Sequence, residues 1–141
     1  MLGWLAGLEA ALRVIGSRIL ASLRYGDSTV VEIVMGLRSV WWGVWIIAFG
    51  AETFAHNPSY ALMGHIAGPG MYGVPMVWFG ASQVIAAGMV ESKWRMGPAA
   101  ALLFLWVWVT LMFAFQDALM RAGPTYGSFA LIELWVLLRG A

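Results

Sequence analysis

Residues 98–116 read PAAALLFLWVWVTLMFAFQ and carry no charge. A helix crossing a hydrocarbon core of about 30 Å needs about 20 such residues, at about 1.5 Å of rise each. Two other runs have the same character. Val30–Phe54 is cleanest between Val40 and Ala51, and Met71–Val90 has no charged residue at all. A fourth, Tyr126–Leu138, is interrupted by Glu133 and reaches only about 20 Å as a helix. It spans if residues on both flanks join it or if the bilayer thins. The expected spans are therefore approximately 32–54, 71–90, 97–117 and 124–139.

Composition agrees. The chain has 141 residues, 62% of them hydrophobic and 11% charged, with a mean hydropathy of +0.81. A soluble domain of this size could not hide so much apolar surface, so the excess faces lipid or partner helices. The fold expected is an all-α integral membrane protein, residues 1–141 forming a single membrane domain: a four-transmembrane-helix bundle preceded by an amphipathic interfacial helix. The absence of cysteine excludes disulfides, thiolate metal sites, iron–sulfur clusters and cysteine nucleophiles. A net charge of +1 gives no support for nucleic-acid binding.

Residues 1–25 form that amphipathic helix. Leu5, Leu8, Leu12, Ile15, Ile19 and Leu23 share one face of a helical wheel, and Glu9, Arg13, Ser17 and Arg24 the other. Arg18 lies at the boundary, where its long stem can snorkel, and Trp4 serves as a headgroup anchor. The alternative is that the apolar stripe packs on the protein's own helices. Between the first two spans, Asn57-Pro58 resembles a helix cap followed by proline at the first helical position, and Gly68-Pro69-Gly70 is a breaker. A short surface helix over 58–67 is expected.

With the N-terminus inside, Arg13, Arg18, Arg24, Arg38, Lys93, Arg95 and Arg139 fall on or near the cytoplasmic face, and Arg121 alone falls outside. This is the charge bias of a bacterial inner-membrane protein with both termini cytoplasmic.

Chemistry-bearing residues are few. Glu133 lies inside an apolar run, where ionisable groups are costly and are functional candidates by default. Arg38 is its expected partner, since counting places both in the inner half of the bilayer. That pair serves either a proton or ion path, or the packing of helices and subunits. Glu52 and His56 are spaced i,i+4 at the outer end of the first span, with His65 in the following loop and Asp117 on the same side. They make a weak candidate set for a divalent metal, against the plainer reading of exposed loop residues. Trp41, Trp42 and Trp45 read as aromatic-belt residues rather than a cofactor box. Gly36 with Gly43, and Ser82 with Ala86, supply small faces for close helix packing. No catalytic set is visible and no cofactor is expected.

The stretch Gly36-Leu37-Arg38-Ser39-Val40-Trp41-Trp42-Gly43-Val44-Trp45, with Thr53-Phe54 and Pro58-Ser59-Tyr60, resembles small multi-span membrane proteins encoded by tailed phages and prophages. The resemblance covers roughly residues 32–80. It implies a role in lysis, exclusion or entry and carries no site residues. Holins are the hole-formers of that group, and the ending Arg139-Gly140-Ala141 departs from their strongly charged tail. The expectation is a non-enzymatic homo-oligomer forming a hole or ring in the bacterial inner membrane. The alternatives are an accessory subunit docking on other membrane subunits, and an ion or proton channel subunit using Glu133.

Overall fold

The computed structural model describes residues 28–89, 93–115 and 119–140, and before them only Arg13 and Ser17, both helical and exposed. Trp4, Arg18, Arg24 and the rest of the expected interfacial helix lie outside the described residues, as does Asp117. Among the described residues the chain is helical with no strand. Helix α1 is Ser28–His56. A 3-10 turn, Pro58–Tyr60, and a short α2, Ala61–Ile66, follow. Then come α3, Pro69–Ala87, α4, Lys93–Phe115, and α5, Leu119–Gly140.

The expected short helix after α1 is present, and its chemistry is local. The Ser59 main-chain N–H donates to Asn57 Oδ1 at 3.0 Å, and Pro58 occupies a position whose missing N–H costs nothing. Gly68, in extended backbone, then hands over to Pro69 at the start of α3.

Helix starts differ from expectation. Pro75, Pro98 and Pro124 lie within α3, α4 and α5, each beyond the first turn, rather than at or near their starts. The first four N–H groups of a helix have no internal acceptor, so a proline just past them removes a single hydrogen bond. The loss is small enough for the helices to begin earlier. In α5 flanking residues join the short fourth run, and its 22 residues give about 33 Å of helix. Two helical segments, Thr29–His56 and Trp94–Phe115, are long and apolar enough to cross a membrane.

The four long helices pack around a common core, with α1 against α3, α4 against α5, and lesser contacts from α3 to α4 and from α1 to α5. The α1–α3 contact is an antiparallel glycine seam. A Cβ on Gly36 would stand 2.7 Å from the Gly80 carbonyl oxygen, and one on Gly80 would stand 2.6 Å from that of Gly36. Gly43 and Gly73 repeat the arrangement, each 2.6 Å from the other's carbonyl oxygen. Both pairs recur at seven residues, two turns of helix. The expected Ser82–Ala86 face is not this seam. Ala86 is buried, while the Ser82 hydroxyl donates to the Trp78 carbonyl at 2.8 Å.

Aromatic rings fill the centre. Trp42 meets Trp106 edge-on at 5.5 Å, Tyr126 stacks on Trp106 at 5.9 Å and on Phe113 at 4.8 Å, and Tyr60 meets Phe113 edge-on at 5.0 Å. The tryptophan triplet is thus divided. Trp41 is 68% exposed, Trp42 is core, and Trp45 lies against Tyr60 at 6.3 Å. Successive residues on a helix are about 100° apart, so Trp41 and Trp42 cannot share one environment.

Candidate functional site

At one end of the molecule α1 and α4 begin and α3 and α5 finish. Polar side chains from all four helices turn inward there. Glu32, one turn into α1, is 3% exposed. Arg95, near the start of α4, approaches it as a fork. Its Nε donates to Glu32 Oε2 at 2.8 Å, and one terminal nitrogen donates to Glu32 Oε1 and, at 3.0 Å, to the Thr29 hydroxyl. Two parallel charge-assisted bonds of this kind are the strongest pairing a carboxylate finds in a protein. Arg95 is the wet end, 20% exposed, and Glu32 the dry one.

One layer further in, Gln83 of α3 donates from Nε2 to Glu133 Oε2 of α5 at 2.8 Å. Gln83 is 1% exposed and Glu133 0%. Gln83 Oε1 and Glu133 Oε1 are both buried without a hydrogen-bond partner. A small cavity of about 10 Å³ beside the Glu32–Arg95 pair is lined by Glu32, Arg95, Met96, Ala99, Val136 and Leu137. Its α5 lining, Val136, is one turn from Glu133. Above these layers the Ser39 hydroxyl, which itself donates to the Met35 carbonyl, accepts from Trp106 Nε1 at 3.2 Å. At the far end the Tyr60 and Tyr126 hydroxyls meet at 2.9 Å. Burial and that hydrogen bond push the Tyr60 phenol up from its usual range. It therefore stays protonated and able to donate.

The pair expected from sequence, Arg38 with Glu133, is not formed. The Arg38 guanidinium carbon sits 4.9 Å from the centre of the Phe129 ring, and Arg38 Nε is buried without a partner. Phe129 precedes Glu133 by one turn of α5, so Arg38 and Glu133 lie near one another along the bundle without contact. Glu133 is held by Gln83, and the buried ion pair is Glu32 with Arg95. Gln83 stood out in the sequence as the one strongly polar residue of its span. Glu32 had no such signal, because a carboxylate near a span end ordinarily reaches solvent.

The metal candidates do not converge. His56 Nδ1 lies 3.0 Å from the Glu52 main-chain oxygen rather than beside its carboxylate, and Glu52, His56 and His65 are all exposed. No group of three His, Asp or Glu side chains able to hold a metal occurs among the described residues.

Chemically, the cluster offers one fully paired carboxylate, one buried carboxyl with a single bonded oxygen, and one buried arginine nitrogen in reserve. Such an arrangement can hold or release a proton and can lock helices. It has no activated nucleophile. No family model, curated protein or solved structure matches the chain.

Proposed function

We propose that the chain is a non-enzymatic membrane subunit in which all four long helices cross the bacterial inner membrane, closed around its own polar core. Its reading favours a small accessory subunit over one stave of a wide hole. The observation that carries it is the direction of the polar groups. Glu32, Gln83, Ser39 and Glu133 are buried within a single copy, while the outward faces carry Val34, Leu37, Trp41, Met71, Trp78, Ile85, Phe104 and Leu131. A ring lining an aqueous hole would turn polar groups the other way. Helix α3, with no charge in 19 residues, is about 28 Å long, and α5 is about 33 Å. Arg95 and Arg139 lie at the end where α1 begins, and the Arg139 guanidinium rests 5.2 Å from the Trp135 ring. Basic and aromatic groups together suit the cytoplasmic headgroup level. A phage-related setting remains part of the proposal through residues 36–60.

Expression alone in a bacterium tests the choice. The accessory reading expects cells that stay viable and exclude dye, and a small monodisperse species after extraction. Abrupt dye entry together with large assemblies would overturn it in favour of a hole-former.

A further inference from the structure

We infer that Glu133 binds a proton in this packing, completing an acid–carboxamide pair with Gln83, and that Arg38 is held on Phe129 as the counter-charge for the deprotonated carboxylate. An ionised carboxylate only accepts, and a carboxamide has one accepting oxygen and one donating nitrogen. Gln83 Nε2 already donates to Glu133 Oε2, which leaves two buried oxygens, Gln83 Oε1 and Glu133 Oε1, with no donor. Two acceptors cannot satisfy each other. A single proton on Glu133 Oε1 converts it into a donor for the neighbouring amide oxygen and removes both deficits at once. Buried polar atoms without partners are costly, so the neutral acid is the form this packing suits.

The charged groups around Glu133 divide by element. From α4, Arg95 is committed to Glu32 in a two-bond fork. From α1, Glu32 carries the same sign as an ionised Glu133 and is itself neutralised by Arg95. α3 contributes Gln83, which does not titrate. That leaves Arg38 of α1. Its guanidinium rests on Phe129, one helical turn from Glu133, with Nε buried and unbonded. When the proton leaves, Arg38 is the cation assigned to the new carboxylate, and a turn of its side chain off Phe129 toward it would relieve the unbonded Nε as well. The small cavity lined by Glu32, Arg95 and Val136 lies one turn of α5 from Glu133, toward the end where Arg95 meets solvent. The result is a proton-dependent exchange of partners: acid with amide and arginine on ring in one state, carboxylate with arginine in the other.

The inference deepens the proposed function but rests on side-chain packing alone. Its test is run on detergent-solubilised protein, so it fails or stands independently of how many helices span. Infrared difference spectroscopy in H2O and D2O, followed through a pH titration, reads the protonated carboxyl stretch. The wild type is expected to show such a band with a deuterium shift, and Glu133→Gln to lack it. Arg38→Gln is expected to move the loss of that band upward by a pH unit or more, since the carboxylate then forms without its counter-charge. Arg38→Lys, which keeps the charge, restores a midpoint near the wild-type one, and near-ultraviolet circular dichroism of the tryptophans reports that each variant is folded. Absence of a Glu133-dependent band at neutral pH overturns the inference. So does a band whose midpoint is the same in folded Arg38→Gln and wild type.

Discussion

Gly80→Ala is the sharpest probe of how α1 and α3 are joined. The added methyl group would lie 2.6 Å from the Gly36 carbonyl oxygen, 3.0 Å from Ser39 Cβ and 3.0 Å from the Val40 nitrogen. Ordinary contact begins near 3.4 Å, so α3 must retreat by about 0.8 Å at this level. The blocking atoms are mostly backbone and cannot rotate away. A gap of 0.5–1 Å forfeits about a quarter to a half of each dispersion contact along the seam. Between apolar helices in lipid or detergent, such packing is much of what holds them together. Alanine returns up to about 1 kcal/mol in helix propensity, a gain shared by any exposed Gly→Ala control, so a loss of about 1–3 kcal/mol from overpacking is expected relative to such a control. Unfolding of the purified protein in mixed micelles, followed by tryptophan fluorescence, measures it. Gly127→Ala is the control, because its added Cβ meets only Thr110 Cγ2 at 3.8 Å. If Gly80→Ala is as stable as Gly127→Ala, the close α1–α3 approach is wrong.

Three other outcomes follow from the polar core. Glu32→Gln leaves the Arg95 guanidinium, which keeps some solvent contact, without its carboxylate and is expected to cost about 1–3 kcal/mol in the same unfolding assay. Glu133→Gln replaces a neutral acid by a neutral amide beside Gln83 and is expected to cost under about 1 kcal/mol, whereas an Arg38–Glu133 ion pair would make it as damaging as Glu32→Gln. Stability is expected to fall as pH rises above about 10. The Tyr60 phenol, raised in the folded state, keeps its proton while the unfolded chain loses it, so alkali favours unfolding. Tyr60→Phe should flatten that part of a stability–pH profile.

The sequence carried helix extent and level along the bundle well and azimuth poorly. The helix through Leu102–Val109 and the short helix after Asn57-Pro58 were legible because apolar length and cap chemistry are local properties. The helix starts before Pro75, Pro98 and Pro124 were less so, since a proline just past the first turn removes a single hydrogen bond and does not stop the helix from beginning earlier. Arg38 and Glu133 were matched because they lie at similar depth, yet contact depends on the direction in which each leaves its helix. Glu32 and Arg38, six residues apart on α1, point about 120° from each other. Both cannot face the same neighbour, and Glu32 took Arg95 while Arg38 settled on Phe129. The glycine spacing was visible on α1 at Gly36 and Gly43, but its complement at Gly73 and Gly80 carries the same seven-residue interval and was the signal to seek.

The central claim is that four helices cross the membrane with the Arg95 end inside. The chain contains no cysteine, so single cysteines report cleanly on it. Spheroplasts carrying Ser59→Cys, Ser92→Cys, Ala118→Cys or Trp78→Cys, the last at the middle of α3 on its outward face, would be treated with a membrane-impermeant maleimide before and after permeabilisation. The account predicts labelling of Ser59→Cys and Ala118→Cys in intact spheroplasts, of Ser92→Cys only after permeabilisation, and of Trp78→Cys in neither case. Labelling of Ser92→Cys in intact spheroplasts, or of Trp78→Cys at any stage before denaturation, would contradict it.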